Sequence, residues 1–465
     1  MSLCKTGLNE KAEAEKICIT ILESEPLVRL ANLIPWEQAA QVIEEDLKCS
    51  TRTGSVHLGP KLFLRVHLGA YFLQTLLNLT DRDLEYQLHF NALYQSFCQL
   101  NKEGRRFPDA NSIEEFRSRI CPETHRQLGL LVLRKAHEVG FLNPTWMDID
   151  STVQEANMSY PADANLMVKL AAKAYKLVGT FEFPSEKQPK VDIAEIKAAQ
   201  KLYLIESRGA KKTVRRDIFT HLHATVCKYV VPVIEKILQL PAQVIEAGSR
   251  RFKGLCEQVC EKGGPYLADV EHYIRTGKMA EGKLLCFHLE QVKCLPKGKV
   301  GKPYEFGRVI QLGRLGGNFL LVGRANSVVN SDRSAVSHMV AEHETLFGKG
   351  ALESCGADRG YESPQNNQCL DDHNVKKNGI QARKGTSETL TSEELTAHRN
   401  RRAGIEPLIG HLKNEFGMKK SRMKSDRTTL AAAYRSVTGF NLKNLIRFLE
   451  RENKAVIDPH VAQAV

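Results

Sequence analysis

Apolar and polar positions follow a helical period over the first third of the chain, then switch to strict alternation. Residues 1 to about 130 read as helices, two with start signals: Thr80–Asp83 before LEYQLHF, and Ser112–Glu115 before FRSRI. In both, a hydroxyl and a following acid can satisfy free backbone N–H groups. Between them, Asn101–Asp109 (NKEGRRFPD) is a turn-rich basic connector. A helix, a turn and a short arginine-bearing helix are compatible with a helix-turn-helix holding Arg117 and Arg119 near DNA, and equally with a plain helical bundle. Residues 145–153 (TWMDIDSTV) alternate as a half-buried strand does, so Asp148 and Asp150 share one face.

A helix follows over 163–178, with Asp163 as its expected N-cap and a structural residue. Residues 181–190 (FEFPSEKQPK) have linker composition, and helical patterns run on to about 300. Basic clusters recur there, at Lys211, Lys212, Arg215 and Arg216 and again at Arg250, Arg251 and Lys253. Two strands, 304–312 and 318–322, are joined through Gly316 and Gly317, and a helix runs from Asp332 to Gly348 with His338 and His343 on its polar face. ALESCGA precedes Gly356-Ala-Asp-Arg-Gly-Tyr361, where an acid followed by glycine ends a strand. Polar residues 362–394 read as a flexible connector.

Composition narrows the class. The 465 residues are 42% hydrophobic and 26% charged, which is ordinary for a globular chain of two or three domains. The net charge of +12 favours a polyanionic partner. No run reaches the ~18 apolar residues needed to span a bilayer, and the N-terminus lacks an apolar signal core, so export is not expected. The twelve cysteines are scattered, as in a reduced cytosolic protein. Cys256 and Cys260 lie near His272 but lack the second tight pair that zinc requires.

The chemistry concentrates in Arg399–Lys420, RNRRAGIEPLIGHLKNEFGMKK. One acid, Glu406, stands between clustered arginines and Lys413; in a helix, Arg402, Glu406 and Lys413 share a face. Pro407 requires the helix to start or kink there. The spacing Arg402-x3-Glu406-x6-Lys413, with the continuation to GFNLKNLIRFL, resembles the signature around the third acid of bacterial insertion-sequence transposases of the DDE type. Arg399 stands where that family often has tyrosine. Asp358 in Asp-Arg-Gly-Tyr resembles the second acid, and Asp150-Ser-Thr the first, with Asp148 as the alternative. The N-terminal LTDRDLEYQL and PDANSIEEFR resemble the family's DNA-end-binding region.

The resemblance implies a mixed α+β, ribonuclease-H-like catalytic core interrupted by a helical insertion. Its expected parts are an all-α DNA-binding region over 1–130, a catalytic core split into 131–180 and 301–450, an insertion over 181–300 and a tail over 451–465. Asp150, Asp358 and Glu406 would be catalytic residues and ligands of Mg²⁺, with Mn²⁺ able to substitute. Arg402 and Lys413 would support Glu406 or touch phosphate. Arg117, Arg119, Lys419, Lys420 and Arg422 would contact DNA. The expected activity is cleavage and strand transfer at the element's terminal repeats and target DNA, by a homodimer acting in the cytoplasm at the nucleoid. The rivals are a nuclease that cuts without joining and a transposase-derived DNA-binding protein without catalysis.

Overall fold

The computed structural model describes residues 21–48, 62–100, 106–160, 162–181, 188–299, 302–324, 332–380 and 390–457. The extreme N-terminus, most of the 101–109 connector and of the 181–190 linker, and the end of the tail lie outside them.

Seven helices come first: α1 (Pro26–Leu33), α2 (Trp36–Lys48), α3 (Leu62–Leu77), α4 (Asp81–Phe90), α5 (Ala92–Phe97), α6 (Ala110–Arg119) and α7 (Pro122–Glu138). The α4 start follows expectation: Thr80 Oγ1 accepts from the Asp83 N–H at 3.2 Å. The next helix begins earlier than Ser112, because Asp109 caps it by accepting from the Ser112 N–H at 2.7 Å. Helix α7 runs straight across residue 130 and is buried along most of its length.

Strand β1 (Trp146–Glu155) opens the sheet. The chain then leaves it for α8 (Asp163–Val178), α9 (Ile193–Glu206), α10 (Lys212–Leu238), α11 (Ala242–Ala247), α12 (Arg250–Cys256) and, after one π-helical turn, α13 (Gly263–Thr276). These helices enclose a core of their own, built from Leu166, Leu170, Leu222, Val226, Val233 and Val259 among others. The helical module therefore begins at α8, ahead of residue 181. Asp163 is structural as expected but caps nothing; residue Ala162 holds the N-cap, and Asp163 accepts from Lys283 Nζ at 2.7 Å and from the Tyr266 hydroxyl at 3.1 Å.

The chain returns through β2 (Lys293–Lys299), β3 (Lys302–Leu315) and β4 (Phe319–Val322), then α14 (Asp332–Phe347), β5 (Ser354–Ala357), α15 (Pro364–Asp372), β6 (Lys377–Ile380), α16 (Ser392–Ala403), α17 (Ile405–Glu415) and α18 (Asp426–Ile457). The segment expected as a flexible connector, 362–394, thus contains a helix and a strand. Ser363 caps α15 and Pro364 opens it, and β6 is held by parallel pairing with β5 rather than by apolar content. Strand order is β2-β3-β1-β5-β6, with β4 beside β3; β1 is antiparallel to β3 and parallel to β5.

Alternation along the strands assigns the two faces. Met147, Ile149, Leu315, Phe319 and Leu321 join α14, the N-terminal helices and the end of α18 in one large core. The N-terminal helices and the sheet therefore pack as one body. Ile310, Leu312, Leu320 and Val322 point the other way, onto Ile405, Leu412, Phe416, Tyr434 and Val437 of α17, α18 and the segment between them. Asp148 and Asp150 belong to this second face. His343 faces inward, not outward: it is fully buried, with Nε2 2.8 Å from the Pro144 carbonyl.

Candidate active site

The β1–β5 ladder pairs Asp148 with Gly356 and Ile149 with Ala357, so the next step along both strands sets Asp150 beside Asp358. Adjacent strands lie ~4.8 Å apart, and register partners of a parallel pair point to the same face. Asp358 therefore follows directly on the carboxyl end of β5, level with Asp150 midway along β1. Backbone donors orient each one: the Ser151 N–H reaches Asp150 Oδ1 and the Gly360 N–H reaches Asp358 Oδ1, both at 2.7 Å. Tyr361, from the same Asp-Arg-Gly-Tyr run, is buried and donates to Gln311 Oε1 at 3.1 Å, which anchors the turn behind Asp358.

The residue expected as the third acid, Glu406, lies on α17. On the other side of β1, Asp150 pairs with Leu312 of β3, and Leu312 packs in the cluster containing Ile405, the residue before Glu406. Glu406 is exposed in the first turn of α17. Pro407 does mark a helix start: α16 ends at Ala403, Gly404 intervenes, and α17 begins at Ile405. Arg402 thus lies in the last turn of α16, whereas Lys413 shares α17 with Glu406. Among the described residues, no three acidic, histidine or cysteine side chains converge closely enough to enclose a metal ion. The donor set at this edge, carboxylate oxygens throughout, fits a hard cation such as Mg²⁺ and not a thiophilic one.

Asp148 is committed elsewhere. Its carboxylate is completely buried and takes three hydrogen bonds from Arg401: Nε to Oδ1 at 3.0 Å and to Oδ2 at 3.1 Å, and Nη2 to Oδ1 at 2.8 Å. Arg401 also donates to Ser354 Oγ and lies 4.8 Å above the Trp146 ring. Arg314, the register partner of Asp148 on β3, stacks over the same ring at 5.4 Å and donates to the Arg401 carbonyl. Gly356 has to be glycine here, since a Cβ would sit 2.5 Å from Asp148 Oδ1. This clamp fixes the end of α16 on the sheet five residues before Glu406. Sequence reasoning missed it, because nothing local distinguishes Arg401 from Arg399 or Arg402.

The other expected DNA contacts divide. Arg117 forms a bidentate pair with Asp81 and donates to Gln74 Oε1 at 2.8 Å. Burial works against charge on Asp81, but the hydrogen bonds from Arg117 and Gln74 outweigh it and hold its pKa below the usual carboxylate value. Arg119 pairs with Glu115, its side chain only 8% exposed. Lys419, Lys420 and Arg422 are exposed on the segment after α17, which bonds to the end of β1 through Glu155 N–H to Lys419 O (3.1 Å) and Ser421 N–H to Glu155 O (2.8 Å). Burial pushes the thiols of Cys256 and Cys260 up to about 11 and about 12, which disfavours the thiolates zinc would need.

A mixed sheet ordered in this way, with helices on both faces, defines the ribonuclease-H-like class. Two family models match, a transposase domain (DUF772) over residues 18–119 and a transposase DDE domain over residues 330–442. The two matches support an insertion-sequence transposase of the DDE type. No curated protein and no solved structure matches it. No helix among the described residues is long and apolar enough to cross a membrane.

Proposed function

We propose that the protein moves an insertion sequence by cutting and joining DNA with Asp150, Asp358 and Glu406. One observation above all supports this reading: the β1–β5 register, continued one step, sets Asp150 beside Asp358 where β5 ends. The helix carrying the third acid packs on the same face. In the proposed reaction, the acids bind and orient the reacting groups at a terminal-repeat phosphodiester. Water attacks first and releases a 3′-hydroxyl, which then attacks target DNA in the same site. Mg²⁺ or Mn²⁺ held by the three carboxylates would supply the charge that activates the attacking oxygen and stabilises the leaving one. Arg402 and Lys413 approach phosphate or steady Glu406. Lys419, Lys420 and Arg422 grip the DNA backbone, positioning it without reading sequence. Two element ends have to be paired, so the working form is a homodimer on DNA, in the cytoplasm at the nucleoid.

The test is cleavage and joining of labelled terminal-repeat DNA in Mg²⁺, comparing the unaltered protein with Asp150→Asn, Asp358→Asn and Glu406→Gln. Each variant is expected to bind DNA normally and lose both steps. An active Asp150→Asn protein would remove the first acid from the assignment, and cutting without joining would replace transposition by simple nuclease action.

A further inference from the structure

Between the N-terminal helices and the end of β1 lies an open cleft of about 810 Å³. Arg117 and Asp81 form one wall, Gln154 of β1 and the Lys419–Arg422 segment form the other, and Arg435 of α18 reaches in from behind. Five cationic side chains and a single acid, Asp81, line it. Asp81 is already taken by Arg117. Among the described residues, no acid forms an ion pair with Lys419, Lys420, Arg422 or Arg435.

Among the described residues, three buried polar atoms in this lining lack hydrogen-bond partners: Thr75 Oγ1, Gln154 Oε1 and Arg435 Nε. Gln154 is only 1% exposed. Its amide assignment is reversible by a half-turn, which would present the NH₂ group at the same place. A buried donor without an acceptor costs ~1–3 kcal/mol, and more when it is charged. Burial and the neighbouring Arg117 pull the Arg435 pKa down to about 10, so the guanidinium is still charged at neutral pH. The same two arginines add to burial in keeping His125 neutral. The fold thus maintains a positive, underbonded pocket where an acceptor-rich anion would complete it.

The location indicates which anion. Gln154 lies four residues beyond Asp150 on the same face of β1, or ~13 Å along the strand. That is about four nucleotide rises of B-form DNA at 3.4 Å each. We propose that the cleft is a backbone-phosphate subsite for the DNA strand that runs on from the acids, with Arg435 gripping a phosphate from within and Lys419, Lys420 and Arg422 from the rim. This rests on the transposase reading of Asp150, Asp358 and Glu406. It adds Arg435 and Gln154, which no motif singles out.

The experiment is fluorescence anisotropy of the full chain with a labelled 25-base-pair duplex of arbitrary sequence, at stepped salt concentrations. Arg435→Gln is expected to weaken binding roughly tenfold and to lower the slope of log affinity against log salt by about one. Arg435→Lys should retain the slope. The Lys419→Ala, Lys420→Ala double variant should lose about two units. In the unaltered protein, duplex should protect Lys419 and Lys420 from acetylation, read by mass spectrometry; this arm does not depend on how any variant folds. Unchanged slopes in the variants, or equal acetylation with and without duplex, overturn the subsite while leaving the acids untouched. Conversely, a cleaving Asp358→Asn protein would overturn the catalytic reading and leave the cleft standing.

Discussion

The Asp148–Arg401 clamp makes the sharpest prediction, because it separates two aspartates only one residue apart. Asp148 is wholly buried and Arg401 is about a quarter exposed. Removing one partner of a buried pair strands the other, at ~3–5 kcal/mol when that partner has no access to water. Arg401→Ala strands a carboxylate of that kind, so its cost belongs at about 3 kcal/mol or above; Arg314 nearby offsets part of it. Asp148→Asn strands a guanidinium that can still reach solvent and keeps one acceptor oxygen, which lowers the cost to ~1–3 kcal/mol. Asp150→Asn should cost almost nothing, since it relieves repulsion from the adjacent Asp358. Urea unfolding read by tryptophan fluorescence suits the question. The chain has two tryptophans, and Trp146 lies directly under the Arg401 guanidinium. The expected order of stability is Asp150→Asn at or above the unaltered protein, then Asp148→Asn, then Arg401→Ala. Asp148→Asn should also slow DNA cleavage without weakening duplex binding, because the clamp fixes the helix end that leads to Glu406. An Asp148→Asn protein as stable as the parent, or an Asp150→Asn protein as damaged as Arg401→Ala, would refute the division of roles.

Three further outcomes follow from packing and protonation. Asn441 bonds both backbone groups of Leu320, accepting at 2.9 Å and donating at 2.8 Å while buried, so Asn441→Ala should lower unfolding free energy by ~1–3 kcal/mol; an unchanged urea midpoint would contradict it. A Cβ at Gly439 would sit 2.2 Å from the Thr75 carbonyl oxygen, so Gly439→Ala should force α18 away from α3 at a cost of ~1–3 kcal/mol, seen as a lower melting temperature. Burial holds the pKa of His125 and of His343 below the free-histidine value of 6.5, so the unfolded chain binds more protons than the folded one below that pH. The stability they contribute is complete above pH ~6.5. It falls as pH drops toward their folded values, by up to about 1.4 kcal/mol per pH unit for each histidine. Urea midpoints measured from pH 7.5 to 5.5 should decline accordingly, and a flat profile would exclude the effect.

What the sequence revealed depended on whether a feature is local. Alternation in TWMDIDSTV located β1, and Gly316–Gly317 located the hairpin between β3 and β4, because both express backbone periodicity within a few residues. Asp358 was legible from the Asp-Arg-Gly-Tyr turn, although its strand, Ser354–Ala357, looks too polar and small for a central position. It is small because Asp148 and Arg401 crowd Gly356. Strand β6 was missed since its Lys-Asn-Gly-Ile sequence contributes little beyond backbone pairing. The boundary of the helical module was misjudged by a whole helix, because α8 buries its apolar face in the module's core rather than against the sheet. Arg117 looked like a surface cation because its partner, Asp81, lies far off in sequence and becomes a neighbour only when α4 and α6 pack together.

The three acids proposed for catalysis are held by unequal means, and that bears on how the proposed site would work. Asp150 and Asp358 are fixed by a parallel ladder and by backbone donors, so their separation follows from sheet geometry alone. Glu406 depends on side chains: the Asp148–Arg401 clamp before it and the Ile405 and Leu412 contacts around it. Carboxylates brought together repel, and the repulsion is strongest without a compensating cation. With the pair fixed on the sheet and Glu406 on a separately anchored helix, adjustment of Glu406 falls to the junction at Gly404, between α16 and α17. On this argument the clamp matters most where the electrostatic cost of assembly is greatest, so damage from Asp148→Asn should be deepest at low divalent-ion concentration and shrink as the ion is raised. Asp150→Asn should stay inactive across the same titration, as expected for a carboxylate that itself acts on the reacting groups. Cleavage assays over a range of Mg²⁺ concentrations distinguish the two, and parallel curves for the two variants would show that Asp148 does not act through the position of Glu406.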